Sequence, residues 1–449
     1  MKLFCESEQF TLYHGSMLDI TEAIDDNSID SIVTDPPYEL NFMNKGWDNT
    51  GIAFQKDTWK KCYQVLKPGG YLLAFGGSRT FHRIACAIED AGFEIRDTIM
   101  WLYGSGFPKS HNVGLDVDKL NGFPERGHRI AVANRKHPDG TIEPNGEYLP
   151  PYEAKTIEGK KWSGWGTALK PSYEPIIVAR KPIEETVAKN CMKYGVGGIN
   201  IDECRVDYNG EIPNIGGRAK HTRGDGYGFK ALGEDCVANT NGRFPANTIL
   251  TYDETDFDEV CGGFPNTKST PRTPTKGGTG GIGKATNFQR GSETSYFNDS
   301  GSAVRYFYCA KASKKDRDEG LEIFEEKTAG ERTNRKDGSA GISAYAGATG
   351  SAKNFHPTVK PTELMQYLIR LVAPPGSTIL DPFNGSGSTG KAVMFENREK
   401  NKNYHYIGVD LSEEYLKISK ARIEYAAREY EPEEVLKVGK ENAVQTTLF

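Results

Sequence analysis

Four consecutive residues, Asp35-Pro36-Pro37-Tyr38, combine a carboxylate, a neighbouring peptide carbonyl and an aromatic ring at the end of a short apolar run, Ile29 to Thr34. Such a set suits one problem: an exocyclic amino group on a nucleobase is a poor nucleophile because its lone pair is delocalised into the ring. The Asp35 carboxylate and the Pro36 carbonyl can each accept one hydrogen from the NH2, drawing the nitrogen toward tetrahedral geometry and freeing the pair. Proline fixes its own φ and restricts the residue before it, so Pro36-Pro37 holds both acceptors in one extended shape. Tyr38 then offers a flat face to the base. Four residues alone are equally well read as a Pro-Pro turn with a surface aspartate.

A second constellation lies more than three hundred positions downstream. Thr378-Ile379-Leu380-Asp381 predicts a strand, Pro382 to Gly390 a glycine-rich turn, and Lys391 to Glu396 a helix. Gly385 and Gly387 remove Cβ atoms, which would let a ligand lie against backbone at a helix N-terminus. The spacing is not the dinucleotide GxGxxG, and the turn lacks the Gly-Lys-Ser/Thr ending of a P-loop, so a nucleoside without phosphates fits better. Tyr406 to Asp410 predicts a second strand ending in an acid that can accept both hydroxyls of a ribose. Ordinary turn chemistry accounts for either feature singly; their combination with the distant Asp35 loop favours a site.

The elements around these residues follow an alternating pattern. Phe10 to Tyr13 predicts a strand, Ile20 to Ile24 a helical turn, Ile29 to Thr34 a strand, and Ala53 to Leu66 a helix stopped by Pro68-Gly69-Gly70. Tyr71 to Phe75 reads as a continuous apolar strand, Ser78 to Ala91 as a helix closed by Gly92, and Phe93 to Leu102 as another strand or a pair of strands. Strand and helix in alternation imply an α/β sheet with mostly parallel strands. Residues 104 to 164 lose this pattern, and Glu174 to Arg180 regains it as a strand, expected antiparallel to the one before Tyr103. A further strand is expected at Thr248 to Thr251. From residue 354 the pattern returns: Thr362 to Val372 places Leu364, Leu368, Leu371 and Val372 on one helical face with Thr362 as its cap, and Ser412 caps the last helix.

Composition limits the function class. Net charge is -5 and the isoelectric point near 6.0, which excludes a uniformly basic nucleic-acid coat. The eight cysteines include no CxxC pair, which fits neither a zinc site nor a disulfide framework and points to a reducing cytoplasm. Met1 to Glu6 lacks a signal-peptide core and no apolar run approaches membrane-spanning length, so no membrane partner is expected. Charge is nevertheless local. Gly262 to Lys315 holds nine lysines and arginines against two acids, interleaved with Phe264, Phe288, Tyr296, Phe297, Tyr306, Phe307 and Tyr308. Cations track phosphates and aromatics stack on bases, so this stretch is expected to meet nucleic acid. A solvated basic loop with core aromatics is the plainer reading. A region as long as 183–353 without regular pattern is read as a recognition insertion or as partly ordered only with its partner.

Taken together, these residues resemble the S-adenosylmethionine-dependent DNA amino-methyltransferases. Leu380-Asp381-Pro382-Phe383-Asn384-Gly385-Ser386-Gly387 looks like their cofactor motif and Asp35-Pro36-Pro37-Tyr38 like their catalytic motif, in the order called the beta class. Trp101 to Ser110 and Gly164 to Pro171 further resemble a phage-type, orphan branch. The resemblance implies a doubly wound, Rossmann-like sheet of seven strands. It places a catalytic half at residues 1–104, a target-recognition insertion at 105–353 with 174–180 returning to the core sheet, a cofactor half at 354–425, and a tail at 426–449.

The resemblance also implies roles. Phe383, Asn384, Gly385 and Gly387 would shape the pocket for S-adenosylmethionine, Asp381 would lie near its methionine end, Asp410 would hold the ribose, and Thr358 and Lys360 would lie near the methionine carboxylate. Relatives often carry Gly-Asp after the first strand. This chain has Gly15-Ser16, so the acid expected near the adenine is absent or replaced by Asp19, and Ser16 and Asp19 are the candidates there. The expected activity is methylation of adenine N6 in double-stranded DNA after base flipping, with no metal. N4-cytosine methylation is the alternative, followed by RNA or protein-amide methylation and by an inactive DNA-binding partner subunit. The expected setting is the cytoplasm, or the host nucleoid for a phage protein. A homodimer and a cognate restriction enzyme are both compatible with the resemblance, and neither is specified by it.

Overall fold

The computed structural model describes residues 1–40, 46–104, 110–123, 133–136, 142–145, 152–208, 242–252, 262, 264–268, 300–311, 316–327 and 352–428. Ten strands form the main sheet: β1 (Lys2–Glu6), β2 (Phe10–His14), β3 (Ile29–Thr34), β4 (Leu66–Phe75), β5 (Glu94–Tyr103), β6 (Tyr173–Arg180), β7 (Thr248–Tyr252), β8 (Tyr308–Lys311), β9 (Thr378–Asp381) and β10 (His405–Asp410). Their spatial order is β1-β2-β10-β9-β3-β4-β6-β5-β7-β8. From β2 to β4 all neighbours are parallel, β6 runs antiparallel to both β4 and β5, and β5, β7 and β8 are again parallel to one another.

Two expectations are corrected here. Among the described residues the sheet has ten strands rather than seven, because β1 pairs antiparallel with β2 at one edge and β7 and β8 extend the other. Pro68-Gly69-Gly70 does not simply stop a helix: these residues lie inside β4, which begins at Leu66, and the pairing with β3 shifts register between Ile29 and Ser31. Such a bulge absorbs a proline that cannot donate to the ladder and a Gly69 at φ +81°.

The helices among the described residues are α1 (Lys56–Val65), α2 (Phe81–Asp90), α3 (Val113–Leu120), α4 (Ile157–Lys161), α5 (Val187–Tyr194), α6 (Thr362–Val372), α7 (Ser388–Lys400) and α8 (Glu413–Ala427). Because side chains alternate along a strand, Val33, Leu73, Ile176, Val178 and Ile379 pack with α6, α7 and α8 on one face. Ile32, Leu72, Ala74, Ile177 and Leu380 pack with α1, α2 and the 3-10 turn Met17–Glu22 on the other. Both faces are covered, which is why the central strands read as unbroken apolar runs.

The helix ends explain local geometry. Ser412 caps α8, accepting from the Tyr415 N–H at 3.3 Å. Thr362 does not cap α6 with its own side chain, as the sequence suggests: Pro361 occupies the cap position, and the Asp316 carboxylate accepts from the Thr362 N–H at 2.7 Å and from its hydroxyl. A negative group at a helix N-terminus is favourable, and here it comes from 46 positions upstream. No helix among the described residues is long and apolar enough to cross a membrane.

Candidate active site

The carboxyl ends of β3, β4, β5, β9 and β10 and the amino end of β6 share one edge of the sheet. Ligands in doubly wound sheets bind at this edge, where the strand order reverses. The reversal falls between β9 and β3, and it brings Asp381, at the end of β9, beside Thr34, at the end of β3.

Asp381 is buried and accepts three hydrogen bonds: Thr34 Oγ1 at 2.6 Å, Thr389 Oγ1 at 2.6 Å and the Phe383 N–H at 3.1 Å. Burial, with the nearby Asp35 charge, outweighs those bonds and raises its pKa to about 6. Asp410 ends β10. One oxygen accepts from the Gly385 N–H at 2.7 Å and the other from the Ser412 N–H at 2.8 Å, while desolvation raises this carboxyl also to about 6. Each Asp410 oxygen has room for a further donor.

The glycine turn is built differently from the expectation that its missing Cβ atoms make space for a ligand. Gly387 has φ +72°, and a Cβ there would lie 2.3 Å from Ser419 Oγ of α8. Gly385 has φ +49°, and its Cβ would lie 3.0 Å from the His356 ring. Both glycines are required by left-handed backbone and by protein packed against them. The Asn384 side chain turns inward, its Oδ1 accepting from Tyr406 OH at 2.8 Å and Ser419 Oγ at 3.1 Å, so it ties the turn to β10 and α8. Phe383 stays partly buried, its ring 6.3 Å from that of Trp59. Lys391, which follows the turn, is wholly buried against Asp316 at 2.6 Å and Glu319 at 3.0 Å and so cannot serve a phosphate as a P-loop lysine does.

The Asp35 loop is held on every side. The Tyr38 carbonyl accepts from Thr80 Oγ1 at 2.8 Å, and the N–H groups of Glu39 and Leu40 donate to the buried Asp48 carboxylate at 2.9 and 3.2 Å. Glu39, at φ +56°, in turn accepts from the Gly51 N–H at 2.8 Å. The Tyr38 hydroxyl donates to Glu174 Oε2 of β6 at 2.6 Å. Asp35 Oδ2 pairs with Lys360 Nζ at 2.6 Å, whereas Oδ1 is buried with no hydrogen-bond partner among the described residues. Among those residues the Pro36 carbonyl accepts no backbone hydrogen bond either.

The remaining expected residues are placed as follows. Lys360, which the resemblance puts near a methionine carboxylate, has its ammonium engaged by Asp35 and, at 3.5 Å, by Glu174. Burial alone would depress its pKa, but these two acids outweigh it and raise it. The Thr358 carbonyl lies 2.7 Å from His356 Nδ1, and because a carbonyl only accepts, Nδ1 carries the proton. Burial lowers the His356 pKa to about 4, so its ring is neutral at neutral pH. Ser16 Oγ accepts from the Leu18 N–H at 3.2 Å, beside Gly15, whose N–H donates to the Asp410 carbonyl at 3.0 Å. Asp19 is exposed in the first turn that follows.

Glu174 was not singled out by the sequence. The signal available was an acid at the start of an otherwise apolar strand, Tyr173-Glu174-Pro175-Ile176-Ile177-Val178, and only the strand direction reveals that this end meets Tyr38. Most of the basic, aromatic stretch 262–315 lies outside the described residues. Of its aromatics, Tyr308 is packed against the core and stacks on Tyr367 of α6 at 4.0 Å, so it is not free to meet a base.

The chain is similar in sequence to several known proteins over part of its length. Type II methyltransferase M.HindIII of Haemophilus influenzae is 24% identical over 233 residues, which cover 42% of this chain and 64% of that protein. Type II methyltransferase M2.LlaDCHI of Lactococcus lactis is 32% identical over 231 residues, covering 44% and 82%. DNA adenine methyltransferase YhdJ of Escherichia coli is 36% identical over 85 residues, covering 19% and 26%. The chain thus spans less than two thirds of the length of M.HindIII and about a quarter of YhdJ. The solved PvuII DNA methyltransferase, titled cytosine-N4-specific, is 12% identical with a TM-score of 0.37, over 92% of this chain and 86% of that one. A family model described as DNA methylase, for N6 and N4 methyltransferases, matches residues 29–421. That match takes in β3, the Asp35 loop, the glycine turn and Asp410, and the chain therefore belongs to the DNA methylase family, the S-adenosylmethionine-dependent amino-methyltransferases of DNA.

Proposed function

We propose that this chain methylates the exocyclic N6 of adenine in double-stranded DNA. The observation that carries the reading is Asp35 Oδ1: a buried carboxylate oxygen without a partner among the described residues, next to the Pro36 carbonyl and one strand away from Asp381. Leaving such an acceptor unpaired costs about 1–3 kcal/mol or more, a cost that an incoming amino group offsets. A duplex holds N6 in its base pair, so the target nucleotide must leave the stack. Asp35 Oδ1 and the Pro36 carbonyl then accept the two amino hydrogens, and the Tyr38 ring supports the base.

The residues present fit S-adenosylmethionine. Asp410 offers two oxygens with spare acceptor capacity to a ribose diol, and its charge disfavours a phosphate in the same place. Phe383 with the Gly385 and Gly387 backbone would border the nucleoside, Ser16 and Asp19 are the candidates near its adenine, and Asp381 and Thr358 near its methionine end. When bound, S-adenosylmethionine supplies a methyl group made electrophilic by its positively charged sulfur. The chain's own contribution is to orient the amino nitrogen and exclude competing acceptors.

In this reading residues 1–104 carry catalysis, 354–425 the cofactor, and 105–353 target recognition with 174–180 in the core, while 426–449 form a tail. The protein acts on cytoplasmic or nucleoid DNA. Adenine is preferred over cytosine because family experience associates Asp at the first motif position with adenine, and YhdJ, named as a DNA adenine methyltransferase, is among the relatives. The test is methylation of unmodified DNA with labelled cofactor, followed by digestion to nucleosides. N6-methyl-2′-deoxyadenosine is expected, and N4-methyl-2′-deoxycytidine would overturn the choice of base. Asp35→Ala should abolish transfer while cofactor affinity by calorimetry stays within a few fold; substantial turnover in that variant would sink the assignment.

A further inference from the structure

Glu174 and Lys360 occupy a position that cofactor binding does not explain. The Lys360 ammonium is 2.6 Å from Asp35 Oδ2 and 3.5 Å from Glu174 Oε2, and Glu174 Oε2 also accepts from the Tyr38 hydroxyl at 2.6 Å. Tyr103 OH lies 3.4 Å from the other Glu174 oxygen. The Lys360 side chain is only 7% exposed, and its ammonium is 5.3, 4.9 and 6.0 Å from the ring centres of Tyr38, Phe75 and Trp101. Three separate elements meet here: the loop after β3, the start of the antiparallel β6, and the segment before α6.

Burying an ammonium between two carboxylates is expensive, and such sets persist only where geometry is good or where they specify an arrangement. What this one specifies is visible atom by atom. Lys360 occupies one side of Asp35 Oδ2 and leaves Oδ1 as the Asp35 oxygen with no donor among the described residues. Glu174 takes the Tyr38 hydroxyl, which anchors the far end of the ring, and holds Lys360 from its other side. One cation against two carboxylates also leaves a net negative charge beside the open oxygen. That charge favours a nitrogen that turns cationic as its bond to the methyl carbon forms and the carbon–sulfur bond breaks, before it releases one proton to solvent.

We propose that Glu174 and Lys360 are positioning residues of methyl transfer, Lys360 selecting the Asp35 oxygen that receives the amino group and Glu174 setting the Tyr38 face and the local charge. The assignment rests on the amino-methyltransferase reading above. It moves Lys360 from the cofactor to the catalytic loop, and it gives the antiparallel strand a catalytic purpose.

The test compares wild type, Glu174→Ala, Glu174→Gln and Tyr38→Phe in the full chain on duplex DNA. Transfer kinetics, calorimetric affinity for S-adenosylmethionine and the fluorescence of 2-aminopurine at the target base are read for each. Glu174→Ala should lower kcat at least tenfold with cofactor affinity within about twofold, and should alter the 2-aminopurine signal. Glu174→Gln is nearly isosteric, keeps an acceptor for Tyr38 and loses the charge, so it should recover part of kcat and guards against a folding defect. Tyr38→Phe should reproduce the 2-aminopurine change. Wild-type kcat in Glu174→Ala, or equal loss of cofactor affinity and kcat in both Glu174 variants, would overturn the assignment while leaving the methyltransferase reading intact. A wild-type chain that methylates no DNA would overturn both.

Discussion

Thr34 donates its hydroxyl to Asp381 at 2.6 Å across 347 positions of sequence. It is the residue before Asp35, and Asp381 precedes the glycine turn, so one hydrogen bond between adjacent parallel strands ties the catalytic loop to the cofactor turn. Thr34→Val keeps the shape and removes the donor. Because Asp381 is buried, the loss should cost about 1–2 kcal/mol, measured as a lower urea midpoint, and should slow methyl transfer more than it weakens cofactor binding.

Asp381 and Asp410 both have folded-state pKa values of about 6, against an ordinary 3.8. A carboxyl whose pKa is raised by folding contributes stability that is fully present below the ordinary value and lost as pH rises through the folded one. For Asp381 the displacement corresponds to roughly 3 kcal/mol. Denaturation followed between pH 4 and pH 7 should therefore show a downward contribution with rising pH that is smaller in Asp381→Asn. Cofactor affinity should move the other way: Asp410 accepts hydroxyls best when ionised, so affinity by calorimetry should fall as pH drops below about 6, and Asp410→Asn should flatten that dependence.

Lys391 has no exposed side-chain surface and pairs with Asp316 and Glu319, while Arg422 lies 3.6 Å from the same Asp316. Removing one partner of a buried pair leaves the other uncompensated, typically at about 3–5 kcal/mol. Lys391→Met should fall at the lower end because Arg422 remains. Adding Asp316→Asn to Lys391→Met should cost less than the sum of the two single changes, and chemical denaturation of all four proteins closes the cycle.

Gly387→Ala combines a left-handed φ of +72° with a Cβ placed 2.3 Å from Ser419 Oγ and 3.0 Å from the Ser419 Cα. The backbone of α8 cannot give way cheaply, so this substitution should destabilise by more than the ~1 kcal/mol of a left-handed alanine alone. Gly385→Ala, whose Cβ meets the His356 ring at 3.0 Å, should cost less, since a side chain can move. Thermal midpoints of the two variants measured side by side decide the order.

Much of the fold could be read directly, for a physical reason: buried parallel strands must be continuously apolar, and helices on the sheet must carry one apolar face. Val33, Leu73, Ile177 and Leu380 therefore announce their strands without any partner in view. The terminal strand β1 and the edge strand β8 could not be read this way, because they are short and edge pairing demands little of composition. The reversal of β6 was suggested only by its place after a long insertion.

The catalytic and cofactor stretches were legible because their chemistry is local: Asp35 and Pro36 are adjacent, and Gly385 and Gly387 share one turn. The sequence by itself determined which groups are available and that they form two clusters. Only the tertiary structure decided what each group faces. It placed Asp381 under Thr34, turned Asn384 inward, filled the glycine cradle with His356 and Ser419, and set Lys360 and Glu174 around Asp35-Pro36-Pro37-Tyr38. Those contacts join residues 22 to 347 positions apart, and no local spacing encodes them: they arise from strand order and direction, which burial of both sheet faces selects for the whole chain at once.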